Sequence, residues 1–132
     1  MTLVVDATTV VAALVDGGRD GEWATKLLES EPLAAPHLLP AEVANILRRA
    51  ARAGDVSVDL ASLAHADFLR LRVELFPYEP FAERVWQLRD NVTSYDGWYV
   101  ALAEHLVAPL ATLDARLASA AGPRCAFVML PG

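Results

Sequence analysis

Asp6, Glu42, Asp96 and Asp114 are the residues of this 132-residue chain best placed to do chemistry, because each stands where an apolar segment gives way to a helix start. Asp6 follows Leu3-Val4-Val5 and Glu42 follows His37-Leu38-Leu39-Pro40. Asp96 follows Thr93-Ser94-Tyr95, and Asp114 follows Leu110-Ala111-Thr112-Leu113. In an open α/β fold the carboxyl ends of strands and the amino ends of helices share one sheet edge, where ligands bind. Four carboxylates gathered there repel one another, and hard divalent cations that prefer oxygen ligands relieve the repulsion. The reaction that uses such a site is metal-assisted attack of water on a phosphodiester. The expected catalytic set is Asp6, Glu42, Asp96 and Asp114, with Asp6, Asp96 and Asp114 holding Mg²⁺ or Mn²⁺.

Taken singly, each acid also has a simpler role. Asp6 and Asp114 suit helix N-caps, while Asp96 and Glu42 complement the positive end of a helix dipole. Those roles leave the combination unexplained. Thr8 and Thr112 put hydroxyls two residues from Asp6 and Asp114, either as turn and strand-edge threonines or as groups that orient a ligand. Asn45 lies three residues after Glu42 on the same helical face, in register to orient its carboxylate. Arg89, ahead of the Asp96 segment, is a candidate phosphate contact or a solvated surface arginine. Arg48, Arg49 and Arg52 read as a solvated helix face or an RNA contact. His37, His65 and His105 form no H-x-x-x-H pair, which excludes a common zinc arrangement, and no glycine-rich phosphate loop occurs. Trp23, Trp86, Trp98 and Tyr99 read as core or interface.

The elements that must position these groups alternate between strand and helix. Strands are expected at Leu3–Val5, Leu33–Ala35, Glu74–Phe76, Leu110–Leu113 and Ala126–Met129. Helices are expected from Thr8 or Thr9 to Val15, and over about 21–30, 40–53, 57–71, 80–89 and 95–107, with a last one from Asp114 to near Gly122. Pro40 suits a first helical turn, Ser57 an N-cap, and Thr93 or Ser94 caps the helix that carries Asp96. The alternation implies an α/β fold with a mostly parallel sheet covered on both faces.

The length fits one domain over residues 1–132. Its 55% hydrophobic content and mean hydropathy of +0.31 leave apolar surface for a partner. No apolar run reaches a membrane span, and the N-terminus lacks a basic and long apolar signal. With Cys125 alone, no internal disulfide forms, and a cytoplasmic home is expected. A net charge of −6 speaks against general coating of nucleic acid, but less against a metal-dependent nuclease whose acids are ligands.

The strand ending in Asp6, the Glu42-Val43-Ala44-Asn45-Ile46-Leu47 segment, the stretch Thr93 to Glu104 and Thr112-Leu113-Asp114 together resemble PIN-domain ribonucleases. More narrowly, the chain resembles VapC toxins of type II toxin–antitoxin modules. That resemblance runs over essentially the whole chain. It implies a PIN-like three-layer fold with a parallel sheet of five strands flanked by helices, and a Mg²⁺- or Mn²⁺-dependent endoribonuclease acting on RNA. It also implies a homodimer and inhibition by a cognate VapB-type antitoxin. Asp6, Glu42, Asp96 and Asp114 match the family's acidic positions, and Thr8 and Thr112 match hydroxyl positions near the metal. Gly97 departs from it, standing where the family usually has alanine.

Competing readings are weaker. A phosphoacceptor receiver needs a lysine after a late strand, and the only lysine is Lys26. A dehalogenase-like phosphatase needs Asp-x-Asp, where this chain has Thr8. A catalytically silent PIN-like module that binds RNA or protein would more often have lost one acid. The apolar surplus around Leu38, Val43 and Ile46, and around Phe81, Val85 and Trp86, would be covered by self-association or by an antitoxin.

Overall fold

In the computed structural model, which describes residues 1–132, five parallel strands form one sheet: β1 (Leu3–Val5), β2 (Leu33–Pro36), β3 (Val73–Phe76), β4 (Leu110–Ala111) and β5 (Phe127–Val128). The helices are α1 (Ala7–Val15), α2 (Arg19–Ser30), α3 (Leu39–Ala53), α4 (Val58–Arg70), α5 (Ala82–Gln87), α6 (Ser94–Leu106) and α7 (Ala115–Ala118). The expected α/β architecture is present, and the strand order is β3-β2-β1-β4-β5. The chain grows outward from β1 to β3 and then resumes on the other side with β4. The switch point therefore falls between β1 and β4, where an open α/β sheet forms its ligand crevice.

β1 is buried at all three positions, as befits a strand covered on both faces. It pairs with β2 through Leu3 and Val4 and with β4 through Val4 and Val5. α1 packs with α2, α3 and α4, while α6 lies on β1, β2 and β4 and carries α5. The completely buried part of α6, Tyr99 to Ala103, forms the core beneath β1 and β4.

Three differences from the expected elements have local causes. Only Leu110 and Ala111 of the expected four-residue strand form β4. Thr112 N–H still reaches Val128 O, but the N–H groups of Leu113 and Asp114 go to the hydroxyls of Thr8 and Thr112, which turns the chain off the sheet. The expected helix over 80–89 divides into a 3₁₀ turn at Glu79–Phe81 and a short α5. α7 stops at Ala118, and the Ser119 hydroxyl bonds back to Ala115 O.

Two backbone positions shape the helix junctions. A Cβ on Gly21 would lie 1.7 Å from Asp16 O, so the absence of a side chain is what lets α2 approach the end of α1. α6 ends on Val107 at φ 50°, a left-handed conformation that a β-branched residue rarely adopts. No helix is long and apolar enough to cross a membrane.

Candidate active site

Asp6 leaves β1 directly into α1 and is buried, at 7% exposure. Its Oδ1 caps α1 by accepting from Thr9 N–H at 3.0 Å, and also accepts from the Thr8 hydroxyl at 2.7 Å. Its Oδ2 accepts from the Thr112 hydroxyl at 2.5 Å, across the β1–β4 switch point. Thr9 adds a hydroxyl that lies 3.1 Å from both Asp6 Oδ1 and Ala111 O. A hydroxyl has one proton, so Thr9 divides it between these two acceptors. Burial pushes the Asp6 carboxyl above its ordinary range, while the threonine donors pull it back.

Asp114 follows β4 and caps α7, with Oδ1 accepting from Arg116 N–H at 2.9 Å and more loosely from Leu117 N–H. Both simple readings therefore hold as well: Asp6 and Asp114 are N-caps. Asp96 sits in the first turn of α6, whose N-cap is Thr93. Burial raises the Asp96 carboxyl, and the charges of Asp114 and Asp6 raise it further. Glu42 sits in the first turn of α3 and is raised by burial, with Asp96 and Asp6 adding to the effect. The four predicted acids thus share one electrostatic environment at the carboxyl edge of the sheet, each at a helix amino end.

Nothing local in the sequence marks Tyr99 as the residue that holds Glu42. Its hydroxyl donates to Glu42 Oε1 at 2.7 Å, from a ring only 1% exposed. Periodicity marks Tyr99 as core, which it is. Only the presence of a phenol among the fully buried side chains of α6 hints that its oxygen needs a partner. Thr9 reads in the sequence only as a candidate first residue of α1, and nothing local marks its hydroxyl as a partner of Asp6.

Asn45 makes no hydrogen bond to Glu42. It is exposed, and its amide oxygen accepts from Arg48 at 3.1 Å. Arg89 is likewise engaged elsewhere, with its guanidinium 4.6 Å over the Trp86 ring and bonded to Trp86 O. Arg48, Arg49 and Arg52 lie exposed along α3, and His37, His65 and His105 are also exposed.

The donor set suits a hard cation. Four carboxylates supply oxygen ligands, and none of them is paired with a cationic side chain; the ion pairs of the protein are Met1–Glu31, Arg70–Asp67 and Arg84–Glu104. No three acidic, histidine or cysteine side chains close into a ready cage as they stand. Both Asp6 oxygens, one Glu42 oxygen and one Asp114 oxygen are already held by hydroxyl or backbone donors. An ion seated here would draw on the free oxygens of Asp96 and Asp114 and on the remaining lone pair of Asp6 Oδ2. A larger recess of about 570 Å³ lies at the opposite, amino edge of the sheet, lined by Met1, Pro109, Cys125 and Ala126 among others, away from these acids.

Comparison with known proteins matches residues 3–123 to the PIN domain. Ribonuclease VapC1 of Mycobacterium tuberculosis is 45% identical over 123 residues, covering 92% of each chain. Ribonuclease VapC3 of Pyrobaculum aerophilum is 34% identical, covering 89% of this chain and 93% of that protein. Among solved structures, PAE2754 from Pyrobaculum aerophilum aligns with a TM-score of 0.74 at 26% identity, over 98% of this chain and 84% of that one. VapBC2 from Rickettsia felis, solved with promoter DNA, shares the fold at a TM-score of 0.68 and 13% identity, over 99% and 100% of the two chains.

Proposed function

The chain belongs to the PIN-domain family, in its VapC branch, and on that premise we propose that it is a Mg²⁺- or Mn²⁺-dependent endoribonuclease, the toxin of a toxin–antitoxin pair. The observation that carries the reading is the group of four uncompensated carboxylates at the β1–β4 switch point, two of them, Glu42 and Asp96, raised by burial and further by the charges of neighbouring carboxylates.

Asp6 is the fixed point of the site. Its carboxylate is clamped by donors from both β1–α1 and β4, so it cannot swing away when substrate arrives. Asp96 and Asp114 supply the more adjustable oxygens and, with Asp6, would hold the ion. When bound, Mg²⁺ or Mn²⁺ lowers the pKa of water and stabilises charge on the phosphate oxygens. Glu42, with Oε1 tied to Tyr99, keeps Oε2 free to take a proton from the attacking water. Thr8 and Thr112 act through Asp6, and each hydroxyl also accepts a backbone N–H from the β4–α7 turn. RNA is the substrate class named for the VapC relatives, and single-stranded or looped RNA suits an open sheet edge.

An antitoxin partner is supported by the structural likeness to VapBC2 of Rickettsia felis. Val58, Leu63 and Leu69 of α4 are 59–69% exposed and give such a partner apolar surface to cover. A homodimer is the accompanying proposal.

The test is cleavage of total RNA by antitoxin-free protein with Mg²⁺ or Mn²⁺, beside Asp6→Asn and Asp96→Asn, with folding followed by circular dichroism. Discrete products that vanish with EDTA and in both folded variants are expected. A folded, metal-binding parent that cuts nothing would favour a silent binding module instead.

A further inference from the structure

Beside the acids, a recess of about 280 Å³ is lined by Leu38, Ala41, Glu42, Asn45 and Tyr95. Its volume is just under the roughly 300 Å³ at which pockets for drug-sized ligands begin, so it takes a fragment the size of one planar ring system. Glu42 belongs both to this recess and to the carboxylate group, so the two are one continuous surface. Tyr95 precedes Asp96 in the first turn of α6 and is 62% exposed, although an aromatic ring of that size usually seeks cover. Leu38 and Ala41 supply aliphatic surface from the start of α3.

Asn45 completes the recess with a directed polar group. A guanidinium offers only donors, so the Arg48 contact at 3.1 Å must engage the amide oxygen of Asn45. That contact fixes the orientation of the amide and leaves its nitrogen, a donor, without a protein partner. The recess thus offers an aromatic face, an aliphatic floor and one free donor; its lining carries no cation to receive a phosphate, and the neighbouring Arg48 guanidinium is engaged with the Asn45 oxygen.

We propose that Tyr95, Asn45 and Leu38 form a nucleobase subsite that seats one base of the RNA strand beside the phosphate to be cut. This rests on the ribonuclease reading for the source of the base. The base stacks on Tyr95 and presents an acceptor, a carbonyl oxygen or ring nitrogen, to the Asn45 amide. A neutral base also suits a rim that carries Glu42, where a second phosphate would be repelled. Selection at one nucleotide position therefore resides in α3 and the first turn of α6, apart from the groups that handle the phosphate.

The experiment titrates the isotopically labelled full chain, free of divalent metal, with the four unphosphorylated ribonucleosides, and with ribose as the control. Saturable NMR shifts are expected at the Asn45 side-chain amide and at Tyr95 with nucleosides and not with ribose. Tyr95→Ser should weaken binding about fivefold or more. Asn45→Ala should reduce the difference among the four nucleosides, and in cleavage of total RNA it should relax preference at one position. Shifts that are absent, or that survive in the folded Tyr95→Ser protein, would overturn the subsite. So would sedimentation showing that Tyr95→Ser dissolves a dimer in which the recess is buried. Nucleoside binding here without any RNA cleavage would keep the subsite and sink the nuclease; cleavage with unaltered context in both variants would do the reverse.

Discussion

Replacing Tyr99 by phenylalanine tests whether the buried phenol exists to hold Glu42. The ring is 1% exposed and the substitution keeps it, so packing is preserved and only the hydroxyl is lost. That hydroxyl donates to a carboxylate at 2.7 Å, and hydrogen bonds to charged groups contribute roughly 1.5–3 kcal/mol. Glu42 is only half-buried, so water recovers part of the loss, and the net cost is about 1–2 kcal/mol. In the metal-free protein Glu42→Ala acts in the other direction, because it removes a half-buried charge close to Asp6 and Asp96. It also leaves the phenol of Tyr99 buried without its acceptor. Tyr99→Phe in the Glu42→Ala background should therefore be neutral or stabilising. Chemical denaturation of the four proteins gives the coupling, expected at about 1–2 kcal/mol for two groups in direct contact. Equal destabilisation by Tyr99→Phe in both backgrounds would refute the link between phenol and carboxylate. Activity adds a second reading: Tyr99→Phe should lower kcat with little change in KM, since the contact places Glu42 and touches no substrate.

Four further outcomes follow from the structure. Burial, with neighbouring carboxylates adding for two of them, raises Asp6, Glu42 and Asp96, so the folded state binds their protons more tightly than the unfolded chain. The stability they contribute is full below the unfolded values and is lost as pH rises through the folded values. Scanning calorimetry of the metal-free protein should show the midpoint falling from mildly acidic to neutral pH, and Mn²⁺ should reverse that fall. Glu104 has the opposite sign: burial alone would raise it, but the Arg84 guanidinium and the Arg124 N–H hold it low. Its contribution is present above its unfolded value and is lost as pH falls through the folded one, so Glu104→Gln should lose stability at neutral pH and narrow its difference from the parent in acid. Gly21→Ala should cost about 3 kcal/mol or more in urea denaturation, because its Cβ would meet the Asp16 carbonyl at 1.7 Å. Gly97→Ala should instead gain about 0.5–1 kcal/mol, since its Cβ would make only ordinary contacts, with Val85 Cγ1 at 3.4 Å and with Val85 Cα and Val92 Cγ2 at 3.7 Å.

Much of this arrangement was legible in the sequence, because the signals that place the acids are local. An apolar run followed by Asp marks the end of β1, and Thr93 three residues ahead of Asp96 marks the start of α6. What stayed hidden depends on contacts between distant segments. Periodicity shows that Tyr99 faces inward but not that α3 brings Glu42 to its hydroxyl, 57 residues away in sequence. The same spacing rule misleads for Asn45, since three residues on a helix permit contact with Glu42 or with Arg48 alike, and the arginine takes the amide oxygen. β4 is shorter than its apolar run because Leu113 continues that run, while the hydrogen bonds that bend the chain come from side chains of Thr8 and Thr112.

The pairing of β1 with β4 also bears on how the chain is made. Asp6 and the Thr112 hydroxyl that clamps it are separated by 106 residues of chain, so the clamp closes only after all of that chain has been made. Until β4 emerges, β1 has only β2 beside it, and its other edge offers free N–H and C=O groups to any passing strand. Pairings this remote in sequence form late and slowly. A nascent or truncated chain that stops before β4 therefore displays Asp6 on an unfinished sheet. The acids therefore come together only after β4 has joined β1, so a chain interrupted before that pairing carries Asp6 without the rest of the site.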